Sequence, residues 1–290
     1  NRIGEKENYA LYKNDYALPI AFIAPKESLK VTLNENDNLG NQTALFNSLS
    51  GLNESFFHFH PISVVNSKNT TINDASNSTT FTEIEPNIAK EITWEVTVPA
   101  NSQAYLSLYP SNFGKLKSSN VTITVNGEQR KTQININGQY YNLGYYPEKT
   151  TFQFTASFYG TPEVSFQNPQ VLTLDTEAYS RTMNQLQKQS ADLTVSNRKV
   201  KGIVDVDEAQ QLVTTIPYDK GWSAKVNGKK VDVEAFQGGF VSIPLEAGTN
   251  KIVLSFLPQG FLIGLFLFIS CIALFVFWQR WQKQKELKKD

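Results

Sequence analysis

At 290 residues, 40% hydrophobic and 19% charged, the chain is long enough for two domains, each burying its own core. The 27 basic and 27 acidic residues cancel overall, but five basic and two acidic residues fall in the last twelve positions, leaving 22 basic and 25 acidic in positions 1–278. So mildly acidic a body excludes the basic face of a nucleic-acid-binding protein, and a single cysteine, Cys271, excludes a disulfide framework.

The chain opens on Asn1, its one methionine is Met183, and no apolar leader comes first. It therefore reads as a piece of something longer on its N-terminal side. Residues 1–60 form a mixed α/β segment. Tyr9–Tyr12 and Ile20–Ile23 have the composition of short strands around a loop at Lys13–Asp15, and Asn41–Leu49 is a predicted helix stopped by Gly51. His58 and His60 stand at strand spacing on one face, an arrangement that can ligate a metal. No Cys, Asp or further His lies close by in sequence, so a partly exposed strand end is the better reading, and no metal is expected. Residues 66–80 are polar and low in complexity and predict a long solvated loop. Glu83 and Glu85 share a face and read as solvated charge rather than an acid–base pair.

From Glu91 the pattern changes to a period of two. Ile92, Trp94, Val96 and Val98 share a face, Val121–Val125 runs into the hairpin signal Asn126-Gly127, and Gln133–Asn137 with Gly138 predicts another turn. Phe152, Phe154 and Ala156 continue the alternation. Asp175–Gln189 breaks it: Asp175 suits an N-cap, and Tyr179, Met183 and Leu186 share one helical face. Strand patterns resume at 203–206, 212–216, 224–226, 231–233, 241–245 and 252–256, with turns at Asn227-Gly228 and Ala247-Gly248. Val125-Asn-Gly-Glu128 and Val226-Asn-Gly-Lys229, each followed by an aromatic strand, suggest an internal repeat. The expected fold is mainly β: two β-sandwich modules of jelly-roll or immunoglobulin-like form at 61–174 and 191–258, joined by a connecting helix at 175–190.

Gly260–Trp278 carries no charge and spans about 28 Å as a helix, close to the thickness of a bilayer core. Trp278 and Trp281 suit the lipid–water interface, and a basic tail at 279–290 follows. The flank at 246–259 holds only one cation, Lys251. The positive-inside rule therefore predicts a cytoplasmic tail and an extracytoplasmic body at 1–257, with the bilayer as a partner and no nucleic acid. A body outside the membrane without disulfides points to a bacterial surface. Gly260 and Gly264 form a GxxxG step that can let a second membrane helix approach. Leu257-Pro-Gln-Gly260 is similar to a sortase signal but lacks the threonine at which sortase cleaves. Five Asn-x-Ser/Thr sequons, at Asn41, Asn53, Asn69, Asn77 and Asn120, would matter only in a eukaryotic cell.

Ile216-Pro-Tyr-Asp-Lys-Gly-Trp222, followed by Ala224-Lys-Val-Asn-Gly-Lys229, Phe240, Ala247-Gly248 and a last strand reaching Pro258 and Gly260, resembles the C-terminal signature of the YfhO family of bacterial polytopic membrane proteins. Asn14 with Ala17-Leu-Pro-Ile20 resembles that family's N-x-x-LP segment, and Asn41–Gly51 its Q-x-x-L-F helix. Locally, Pro217 ends a strand, Asp219 and Gly221 make a turn, and Trp222 returns to the core. Tyr218 and Trp222 can alternatively form a sugar-stacking pair. The resemblance implies membrane helices upstream of Asn1 and a GT-C-like glycosyltransferase. Such an enzyme would take sugar from a polyprenyl-phosphate donor to lipoteichoic acid or a related envelope polymer. It also implies that the catalytic acid lies in an early loop, so no catalytic residue and no cofactor is expected here. The competing classes are a non-catalytic surface binding or adhesion module with a C-terminal anchor and a transporter-associated domain.

Overall fold

The protein is described by a computed structural model covering residues 2–111, 119–134 and 139–286. β1 (Arg2–Lys6) and β2 (Tyr9–Tyr12) pair as a separate hairpin. β3 (Ala21–Ala24), a 3-10 turn (Lys26–Lys30) and α1 (Asn38–Ser50) follow. The next run is β4 (Phe57–His60), β5 (Ser63–Lys68), β6 (Thr70–Ala75), β7 (Ser78–Glu83), β8 (Lys90–Val98), β9 (Ser102–Pro110), β10 (Asn120–Val125), β11 (Glu128–Ile134), β12 (Gln139–Tyr146), β13 (Thr150–Tyr159) and β14 (Glu163–Asp175). α2 (Thr176–Lys188) leads into β15 (Leu193–Ser196), β16 (Lys199–Val206), β17 (Gln210–Pro217), β18 (Trp222–Val226), β19 (Lys229–Val231), β20 (Glu234–Phe236), β21 (Phe240–Leu245) and β22 (Gly248–Phe256), and α3 (Phe261–Glu286) comes last. The architecture is mainly β with a long apolar C-terminal helix, as the period-two pattern predicts.

Two compact units divide the chain: Leu33–Asn47 with Leu52–Asn184, and Asn1–Thr32 with Ser48–Gly51 and Gln185–Asp290. The first is a sandwich of the sheets β11-β10-β13-β8-β5 and β12-β9-β14-β7-β6, with β4 also paired to β14. Its core is the set of inward alternating positions, including Ile92, Trp94, Val96, Leu106, Ile123, Phe154 and Phe158. Phe154 lies opposite Trp94 in the β13–β8 register, and their rings stack 5.5 Å apart. Aromatic pairs in cross-strand register add directional attraction to apolar burial.

The second unit contains the sheets β15-β16-β22-β18-β19 and β20-β21-β17-β3 around Leu212, Val241, Ile243, Ile252 and Leu254. Residues 1–60 thus contribute strands to both units. The repeat seen in sequence is a structural one: β11-β10-β13 and β19-β18-β22 are the same hairpin plus third strand. Their turns have φ 48° and 83° at Asn126-Gly127 and 51° and 80° at Asn227-Gly228, the left-handed pair that Asn-Gly tolerates.

The helices follow their caps. Asp37 Oδ1 accepts the Gly40 N–H at 2.9 Å, which starts α1 before the expected Asn41, and Gly51 ends it at φ 73°. Asp175 Oδ1 accepts the N–H groups of Glu177 and Ala178, each at 2.9 Å, and α2 buries Met183 and Leu186.

Two expectations are corrected. Residues 66–80 are not a solvated loop: they lie across β5, β6 and β7. β5 and β6 are edge strands, where polar side chains meet water and protect the edge, while threonines at 70, 71, 79, 80 and 82 suit extended backbone. Asn69 turns the chain between them at φ 50°. Residues 231–233 are not one strand either. β19 ends at Val231, and the chain crosses at Asp232-Val233 to β20 in the other sheet. The turn expected at Gln133–Gly138 falls largely on positions 135–138, outside the described residues.

Candidate functional site

The segment Ile216–Trp222 builds a tight corner at the end of β17. The Tyr218 N–H donates to Gly239 O at 2.8 Å, and Asp219 Oδ1 accepts the Gly221 N–H at 2.6 Å. The Trp222 N–H donates to Asp219 O at 3.1 Å, while its indole N–H donates to Pro217 O at 3.2 Å. The requirement for glycine at 221 is steric. A Cβ there would lie 2.4 Å from Leu257 O and 2.9 Å from the Phe256 ring. The approach lets the Leu257 N–H donate to Gly221 O at 3.0 Å, which ties the corner to the last residue before Pro258.

Beside this corner opens a cleft of about 680 Å³. Tyr218, Lys220, Trp222, Lys230 and Asp232 line it, together with the Leu257–Gly260 link and Leu262 and Ile263 of α3. The structure therefore brings the two aromatic residues singled out in the sequence to one cleft. Both are half-buried and pack on the core of their unit, and the Trp222 ring lies 5.0 Å from that of Phe256. Each serves as an anchor on one side and leaves part of its surface to the cleft. Exposed ammonium groups at Lys220 and Lys230, aromatic surface and the start of an apolar helix suit an amphiphile with an anionic head. Lys220 lies within the signature and Lys230 on the strand that the Asn227-Gly228 hairpin returns beside β18, but nothing in the sequence marked them or Asp232 as lining one cleft.

Gly260 stands one residue before α3, at φ 76°, and its carbonyl accepts the Gly264 N–H at 2.8 Å. It acts as the turn into the helix, and Gly264 lies within it. Phe261–Gln282 is long and apolar enough to cross a membrane, and none of its most apolar stretch is buried in the protein.

The other candidates lie elsewhere. His58 and His60 share a face of β4, and His60 Nε2 is 2.8 Å from Thr173 Oγ1. Burial, and then the neighbouring His58, hold the His60 pKa below its ordinary value. Among the described residues no three His, Cys, Asp or Glu side chains gather as a metal-binding group. Glu83 lies 3.9 Å from Lys90, and the Glu85 N–H donates to Asn69 Oδ1 at 2.7 Å.

A family model described as "Bacterial membrane protein YfhO" matches residues 1–268. A Bacillus subtilis (strain 168) protein named "Uncharacterized protein YfhO" is 34% identical over 74 residues, which are 26% of this chain and 9% of that protein's length. Among solved structures, the insecticidal crystal protein Cry2Aa covers 39% of this chain and 20% of its own at 17% identity and a TM-score of 0.27. A Paenibacillus sp. cycloisomaltooligosaccharide glucanotransferase covers 73% of this chain and 50% of its own at 8% identity and a TM-score of 0.26. Likenesses that slight carry no functional weight.

Proposed function

The chain belongs to the YfhO family of bacterial membrane proteins, and we propose that it is the extracytoplasmic C-terminal part of a membrane glycosyltransferase that moves sugar from a polyprenyl-phosphate donor to lipoteichoic acid or a related envelope polymer. The observation that carries this reading is the join between the signature corner and α3. The family's Ile-Pro-Tyr-Asp segment and Trp222 form a cleft whose lining runs into the first turn of an apolar helix of membrane-spanning length. A lipid-linked sugar phosphate and an anchored polymer meet at that boundary.

The charge asymmetry supports the same orientation: a basic end to α3 in the cytoplasm and an acidic body outside. In this reading Lys220 and Lys230 attract the donor's phosphate, Trp222 and Tyr218 stack on its sugar or first prenyl carbons, and Leu262 and Ile263 face its chain. These residues bind and orient. The reacting groups belong to upstream membrane helices, which also cover the exposed apolar surface of α3. Deleting the gene should leave the envelope polymer's backbone intact and remove its sugar. A deletion strain whose polymer keeps its full sugar content would refute the transferase and leave a non-catalytic surface binding module in its place.

A further inference from the structure

The sheet β12-β9-β14-β7-β6 turns one face into its sandwich core, and its other face carries an unusual residue set. Alternation puts Leu106, Leu108 and Tyr141 inside, and Tyr109 and Tyr140 outside. Across the ladders, Tyr140 lies opposite Ser107, Tyr109 opposite Gln167, and Phe59 opposite Leu172. An outer sheet face is ordinarily polar. Here aromatic rings run from β4 to β12, three strand spacings or roughly 14 Å. Tyr109 and Tyr140 meet edge to face at 5.8 Å, and Phe59 is 52% exposed.

α1 forms the other wall. Two adjoining clefts of about 600 and 860 Å³ share Asn38, Leu39, Phe57 and Tyr140 and make one trough between helix and sheet. Each cleft has the volume of an ordinary ligand site. Asn38, Gln42 and Gln167 supply amides, each both donor and acceptor. Among the described residues of the lining Asp37 is the one that is charged, and its carboxylate already caps the first turn of α1.

We propose that this trough binds an uncharged stretch of saccharide chain, a role that rests on the glycosyltransferase reading for its place in the cell. The chemistry selects that occupant over others. An anionic polymer backbone would need cations, and none stands among the described residues of the lining. A lipid tail would leave the amides and tyrosine hydroxyls unpaired, which is costly. A sugar ring offers apolar C–H faces to Phe59 and Tyr109 and hydroxyls to Asn38 and Gln167. Burial and the hydrogen bond with Tyr109 push the Tyr140 pKa up to about 12, so its hydroxyl stays neutral and able to accept from a sugar hydroxyl.

The full chain in detergent micelles, titrated calorimetrically with maltohexaose, cellohexaose and chitohexaose, tests this. At least one should bind, and Phe59→Ala and Tyr109→Ala should each weaken it about tenfold, while Tyr159→Ala, an exposed tyrosine on β13 of the opposite sheet, leaves it unchanged. Both side chains are well exposed, and near-ultraviolet circular dichroism verifies that the variants fold. No binding by any of the three, undiminished binding by the two variants, or equal binding of sugar-free poly(glycerol phosphate) would overturn the inference. The cellular arm separates the two readings. If the deletion strain loses the polymer's sugar while Phe59→Ala and Tyr109→Ala strains keep it, the transferase stands and the trough's part in it fails. If the purified chain binds saccharide and the deletion strain keeps its sugar, the trough stands and the transferase fails.

Discussion

Replacing Gly221 with alanine should loosen the membrane-anchored unit and spare the other. The new Cβ would sit 2.4 Å from Leu257 O, a backbone atom that cannot rotate away. Relieving the clash moves the corner off the end of β22, at about 1–3 kcal/mol for overpacking. It also weakens the Leu257 N–H to Gly221 O bond, worth about 1 kcal/mol. Together these come to about 2–4 kcal/mol, and at 1.4 kcal/mol per factor of ten the amides of β18 and β22 should lose about 30- to 700-fold in exchange protection. Hydrogen exchange read by mass spectrometry on the full chain resolves the two units. Amides of β8 and β13 should keep their protection. Gly264→Ala is the control: nothing lies within 4 Å of a Cβ there, and alanine favours a helix. A loss under threefold in β18 and β22, or an equal loss in β8 and β13, refutes the reasoning.

Lys90 is 0% exposed, its ammonium donates to Thr161 O, and burial holds its pKa below the ordinary lysine value despite Glu83 nearby. A depressed lysine binds its proton less well folded than unfolded, so stability rises with pH from the folded value up to about 10.4. Urea unfolding at stepped pH should therefore show wild type gaining on Lys90→Met over that window, and a flat difference counts against it. The lowered His60 predicts the same sign in a more acidic window, with stability lost as pH falls below about 6.5 and through the folded value. His58→Ala should raise the His60 pKa only partway in an NMR titration, because burial is the larger cause; full return to the ordinary value would contradict that. For topology, protease added to sealed protoplasts should digest the body and spare a tag after Asp290, and a digested tag would reverse the orientation.

Much of the fold was legible where one physical signal dominates. Ile92-Thr-Trp-Glu-Val-Thr-Val98 alternates strictly, and its four apolar positions are all buried. Asn126-Gly127 and Asn227-Gly228 demand left-handed backbone and supply residues that accept it. Asp175 and the Tyr179–Met183–Leu186 face announced α2. What failed lacked a strong signal. Residues 66–80 are polar because β5 and β6 are edges, and composition by itself does not separate an edge strand from a loop. Asp232-Val233 continues an alternating pattern while the chain changes sheets, since a crossing of two residues leaves the period intact. The partner of β3 was invisible for another reason: β17 begins 189 positions after Ala21.

The trough was illegible because alternation tells which side chains share a face and not which face the core takes. β9 reads Ser-Gln-Ala-Tyr-Leu-Ser-Leu-Tyr-Pro, with apolar or aromatic residues in both registers. Only the opposing sheet decides that Ala104, Leu106 and Leu108 go inside and leave Tyr105 and Tyr109 out. Had the outer face existed only to be covered, leucine would serve as well as tyrosine there, and buried leucine does stand opposite Phe59 at position 172, where α1 lies over it. Tyrosines stand on the same face, Tyr105 opposite Leu172 beneath α1 and Tyr109 and Tyr140 towards the second cleft. A tyrosine hydroxyl both donates and accepts, so beyond the bond between Tyr109 and Tyr140 this face keeps hydrogen-bonding capacity that leucine would not offer a polar ligand.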